Sequence, residues 1–173
     1  MRERDPEQTE RLERHEARLV TLTFVRNGGD VLLMRHPETS DRFADHWNGI
    51  GGHVEAGECI RAAARRELRE ETGLDLLDLQ LRGVVHEVGL LGRAHVLFVF
   101  VGETRQRRIA SAEGIELAWQ SMDQLASLPL VRDVADLLPR ALAAKEPFFA
   151  TEVYDGGDRL ATLHIYDGTS ARV

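Results

Sequence analysis

Residues 52–74 read GHVEAGECIRAAARRELREETGL, and the way this segment folds decides what can be built around it. Gly52 and Gly57 precede a run from 58 to 72 that contains neither glycine nor proline, and Gly73 stands where a left-handed residue would end a helix. The spacing predicts a helix over residues 58–72. Projected at about 100° per residue, Ile60, Ala63, Ala64, Glu67, Leu68 and Glu71 share one side. Arg61, Arg65 and Arg69 take the opposite side, Glu70 lies at an edge of the apolar side, and Arg66 lies beyond it.

Glutamate and arginine on a helix usually mean a solvated face laced with ion pairs. That reading puts the glutamates in water, away from the apolar stripe. Here Glu67 and Glu71 share the stripe with Ile60, Ala64 and Leu68, so they are expected to point toward the body of the protein or a cleft. Like charges one turn apart repel by a few tenths of a kcal/mol when exposed, and by more when partly desolvated. Glu67, Glu70 and Glu71 held together therefore call for a compensating cation. Carboxylate oxygens select a hard ion, Mg²⁺ or else Mn²⁺.

The glycines admit two other readings, and both fail. Gly52 and Gly57 have the spacing of a phosphate-binding P-loop, but Glu58 and Cys59 occupy the places of its Lys and Ser/Thr, and an acid there would repel phosphate. Gly49-x-Gly51 lacks the third glycine and the βαβ context of a dinucleotide site.

Outward from the helix, residues 18–25 are rich in β-branched side chains, 27–30 (Asn-Gly-Gly-Asp) signal a turn, and 31–34 resume an apolar run. Together they predict a hairpin. Residues 37–47 read as an irregular loop, 79–88, 95–101 and 115–119 as strands, and 131–144 as a helix with a possible kink at Pro139. A second hairpin is expected over 148–166, around Asp155-Gly156-Gly157-Asp158. Residues 1–17 form a charged tail or short helix ahead of one domain over 18–173. A single cysteine, Cys59, excludes an internal disulfide and suits a reducing cytoplasm. No apolar run nears the roughly 20 residues of a membrane span. A net charge of -7 disfavours long nucleic acids as partners, while small phosphate compounds can still bind through a metal.

The same segment resembles the Nudix box, Gx5Ex7REUxEExGU with U a bulky aliphatic residue. Gly52, Glu58, Arg66, Glu67, Leu68, Glu70, Glu71, Gly73 and Leu74 match every specified position. The resemblance implies an α/β/α sandwich (α/β, or α+β, with a mixed central sheet) and a hydrolase that cleaves a diphosphate linkage in a nucleoside diphosphate derivative. It implies Glu67, Glu70 and Glu71 as ligands of Mg²⁺ (Mn²⁺ possible), with the Gly51 carbonyl completing the shell. Glu67 is then the first choice of general base, Arg66 orients the glutamates, and Glu58 supports the loop. A further glutamate from a late loop is assigned to Glu113, with Glu116 as the fallback. Arg35 or His36 would bind a substrate phosphate.

Residues 47–52, WNGIGG, resemble the entry to the box in MutT-type diphosphatases of oxidised purine nucleoside triphosphates. That likeness implies base reading by Asn48, whose amide both donates and accepts, substrate binding at Gly52, and a base-reading aspartate at Asp133, although the sequence around Asp133 departs from the pattern. Asn48 could instead only stabilise its loop. Trp47 and Trp119 read as core. The expected partner is a small-molecule nucleotide, with a purine triphosphate first and monophosphate plus pyrophosphate as products; the chain would be a monomer or homodimer. Nucleotide sugars, dinucleotide polyphosphates and RNA 5′ ends stay open as substrates. So does a non-catalytic nucleotide-sensing module, which would bind without hydrolysis.

Overall fold

The computed structural model describes residues 15–35 and 44–166. The strands are β1 (Ala17–Asn27), β2 (Asp30–Arg35), β3 (Gln80–Leu90), β4 (Arg93–Glu103), β5 (Glu116–Ser121), β6 (Phe148–Tyr154) and β7 (Leu160–Tyr166). The helices are α1 (Ile60–Thr72) and α2 (Val134–Ala143), with a 3-10 turn at Met122–Ser127 that the sequence pattern does not show. One mixed sheet has the order β5-β2-β1-β4-β3-β6-β7. β1 runs parallel to β4 and β3 parallel to β6, and the other neighbours are antiparallel.

Leu22 to Val25 of the central strand β1 are buried on both faces, as an inner strand covered by helices requires. One face packs Ala64, Leu68 and Leu74 of the α1 segment against Val25, Leu32 and Phe100. The other packs Val134, Leu137, Leu138 and Ala141 of α2 against Phe24, Val85 and Val99. The result is the expected α/β/α sandwich. α2 runs through Pro139 to Ala143, so the expected kink does not end the helix.

α1 begins at Ile60, two residues later than the spacing predicts. Glu58 is held in the preceding loop, where its carboxylate accepts from the Glu55 N–H at 3.1 Å. At the far end Gly73 adopts φ 71° and its N–H donates to the Arg69 carbonyl. The C-terminal hairpin joins the sheet as its last two strands. Its first residue, Phe148, pairs with Gly83 in register, and a Cβ at Gly83 would meet the Phe148 ring at 2.4 Å. The expected N-terminal tail falls almost wholly outside the described residues, as does His36.

Candidate active site

The helix projection holds in three dimensions. Ala63, Ala64, Leu68 and Thr72 are buried, Glu67 and Glu71 are half-buried beside them, and Glu70 is exposed at the edge. Arg61 and Arg69 face solvent on the opposite side.

Arg66 organises the acids. Its guanidinium donates to Glu58 at 3.0 Å through two nitrogens, to Glu67 at 2.8 Å and to Glu70 at 3.2 Å. It also donates to the His53 carbonyl at 3.1 Å, which ties helix to loop. This pairing holds the Glu58 carboxyl below the usual carboxylate range and raises the Arg66 pKa. Glu71 differs. Burial, then the neighbouring Glu67 charge, pushes its carboxyl up to about 7, although the Gly51 N–H opposes this. Glu71 Oε2 is buried without a hydrogen-bond partner.

The loop before α1 is threaded against β1: Thr21 N–H donates to the Gly52 carbonyl at 2.9 Å and Thr23 N–H to the Ile50 carbonyl at 2.6 Å. A Cβ on Gly51 would lie 1.9 Å from the Thr21 carbonyl oxygen, and one on Gly52 would lie 2.5 Å from the Glu67 carboxylate. Only glycine permits this approach, so Gly52 and Glu67 are in contact.

A pocket of about 440 Å³ opens beside this loop. Asn48, Gly49, Gly51, Gly52 and His53 of the loop line it, together with Glu87, His95, Asp133 and Tyr154. Asn48 Oδ1 accepts from the Gly49 N–H at 2.8 Å, which fixes the amide at the pocket edge. Asp133 is buried at the start of α2. The structure thus brings Gly51, Gly52, Asn48 and Asp133 to one cavity, with Glu67 and Glu71 against its glycine wall.

Other expected residues lie elsewhere. Arg35 donates to Glu116 at 2.7 Å and stacks over Trp47 at 5.0 Å, so the fallback glutamate is engaged by the arginine assigned to phosphate. Glu113 is exposed in the turn before β5 and has no hydrogen bond or ion pair among the described residues. Trp47 is buried as expected. Trp119 is only half-buried and donates to the Arg107 carbonyl, so it closes the edge of the sheet rather than its core.

The sequence reading missed Glu87 and Glu152. Both are buried and, with Asp133, offer carboxylate oxygens within 4.8 Å of one another. Strand alternation could have found them. Gly83, Val85 and Glu87 on β3, and Phe148, Ala150 and Glu152 on β6, occupy the same inward positions.

A family model described as the NUDIX domain matches residues 15–141. The chain belongs to the Nudix family. Among relatives of this Nudix hydrolase, the oxidized purine nucleoside triphosphate hydrolase of Mus musculus is 33% identical over 142 residues, covering 75% of this chain and 83% of the mouse protein. A protein of the same name from Danio rerio is 40% identical over 88 residues, 51% of this chain and 48% of that relative. Against that relative the match spans about half the length. The structure of a mutator MutT protein from Bacillus halodurans aligns with a TM-score of 0.74 at 26% identity, covering 86% of this chain and 97% of that one. The chain is a MutT-like Nudix pyrophosphohydrolase, in a family that generally uses divalent metals and small nucleotide substrates. Among the described residues, no helix is long and apolar enough to cross a membrane.

Proposed function

We propose that this Nudix hydrolase cleaves the diphosphate linkage of a purine nucleoside triphosphate, releasing monophosphate and pyrophosphate with Mg²⁺ as cofactor. The observation that carries this reading is the buried, unpartnered Glu71 Oε2 beside Glu67 at the glycine wall of the pocket. A carboxylate oxygen so placed fits a hard cation, and Glu67, Glu70, Glu71 and the Gly51 carbonyl would hold it. When bound, such an ion neutralises diphosphate oxygens and lowers the pKa of a bound water.

The chain's own residues do the rest by positioning. Arg66 holds Glu67 and Glu70 in place through its guanidinium, so Glu67 is set to accept the proton of the attacking water. Glu58 anchors Arg66 from the loop side. Gly52 lets the loop backbone approach the reacting phosphates beside Glu67. Asn48 and Asp133, which line one pocket, are suited to a base edge that offers both donors and acceptors. Arg35 serves a phosphate by exchanging its Glu116 partner, and Glu113 supplies the late-loop glutamate. The purine assignment is supported by the WNGIGG entry and by the names of the mouse and zebrafish relatives.

The test is turnover of a nucleotide panel with Mg²⁺, following pyrophosphate release, for the wild type, Glu70→Gln and Glu71→Gln. Purine triphosphates are expected to turn over fastest, with both variants nearly silent. Full activity in either variant would refute the ligand assignment. Preference for a nucleotide sugar or dinucleotide polyphosphate would refute the substrate assignment alone.

A further inference from the structure

Three strands carry a polar row across the α2 face of the sheet. Glu152 of β6 stands directly opposite Glu87 of β3, and Glu87 stands opposite His95 of β4. Asp133, at the start of α2, completes the group from above. Cross-strand partners of like charge repel, and here both are buried, Glu152 with no exposed surface at all. Glu87 set against Glu152, with Asp133 added, makes a buried like-charge group that a shared proton or a bound cation would relieve.

We propose that Glu87, Asp133 and Glu152 form a second divalent-cation site, separate from the α1 glutamates, that ties β3, β6 and the start of α2 together. One oxygen from each residue lies within 4.8 Å of the others. Oxygens bound to one Ca²⁺ or Mn²⁺ ion stand up to roughly 5 Å apart, given metal–oxygen distances of about 2.1–2.6 Å. Glu152 Oε1 is buried with no hydrogen-bond partner, while the Tyr154 hydroxyl donates to its Oε2 at 3.0 Å. That donation orients the carboxylate as an outer-sphere partner orients a ligand. A cation at the centre of the trio would satisfy that oxygen. His95 Nδ1 is also buried and without a hydrogen-bond partner, 3.6 Å from Glu87 Oε2. The carboxylates suit Mn²⁺, and a neighbouring imidazole suits first-row transition metals more generally. Asp133 and Tyr154 line both the nucleotide pocket and a neighbouring cavity, which gives the ion an entry path and room for water ligands.

The experiment uses the full chain with the α1 site disabled by Glu70→Gln and Glu71→Gln, and no nucleotide, so its outcome is independent of the substrate reading. Mn²⁺ is titrated and the free ion followed by electron paramagnetic resonance, with thermal unfolding recorded alongside. The disabled chain is expected to retain a single bound Mn²⁺ and to melt at a higher temperature when it is added. Adding Glu152→Gln or Glu87→Gln, both close in shape to the parent residues, should weaken that binding at least tenfold and erase the thermal shift. No bound Mn²⁺ in the disabled chain, or binding indifferent to both added substitutions, overturns the proposal. The first arm stands even if an added substitution prevents folding.

Discussion

Two groups of acids flank one pocket, and they are managed in opposite ways. On α1 and its loop, Glu58, Glu67 and Glu70 converge on Arg66, whose guanidinium answers all three, and Glu71 alone is left with an unpartnered oxygen. Across the pocket, Glu87, Asp133 and Glu152 are all buried. Their described neighbours include a tyrosine hydroxyl and a histidine that burial keeps below its usual pKa. The first group carries its own counter-ion and leaves one position for an incoming one. The second is assembled by strand register.

The contrast can be broken most forcefully at the open position. Glu70→Gln or Glu71→Gln is expected to lower kcat by roughly 10²–10³-fold, the scale of losing a charge-stabilising group at a reacting centre, measured by pyrophosphate release. Next comes the contact behind Glu67. Gly52→Ala puts a methyl where the Glu67 carboxylate stands, and a displacement of that size costs up to roughly 10²-fold in turnover. An alanine variant with wild-type kcat would remove Glu67 from the positioning account. Arg66→Ala should cost roughly 10–100-fold in kcat/KM, as outer-sphere substitutions do, and Arg66→Lys should recover little because an ammonium cannot serve Glu58 and Glu67 together.

Smaller effects sharpen the comparison through stability. Burial holds Glu71 protonated up to about pH 7 in the folded chain, against an ordinary 4.5. Between those values the unfolded chain binds fewer protons, so stability falls as pH rises. In chelator at pH 8, Glu71→Gln should therefore be more stable than wild type by about 1–2 kcal/mol after allowance for solvent screening, and the gain should vanish near pH 4. Denaturant titration at the two pH values decides it; equal stability at both would mean that Glu71 is not desolvated. Tyr154→Phe removes the donor to Glu152 and should cost about 1–3 kcal/mol in the same assay.

The α1 group was legible because its residues lie on one helix, where a fixed period converts spacing into direction. The β1–β2 and β6–β7 hairpins were legible through their Gly-Gly turns, and the α/β/α layers followed. The trio was not read, since its members come from β3, α2 and β6, and which strands become neighbours is a tertiary fact. Its trace was present in the alternation of Val85 with Glu87 and of Ala150 with Glu152. Asp133 was proposed for a base, but nothing local announces its carboxylate neighbours. Arg35 was placed at a strand end correctly, while its pairing with Glu116 depends on β2 meeting β5, which spacing does not reveal.

The fit of Phe148 over Gly83 has a consequence for how the chain avoids a wrong answer while folding. On β6, Phe149 and Val153 face water and Glu152 faces inward. A hairpin shifted by one residue would bury Phe149 and Val153 and release the acid, and would turn Phe148, Ala150 and Tyr154 out to water. The aromatic ring opposite a missing side chain can be seated in one alignment only, so a single glycine acts as the keyway that holds the hairpin in its register.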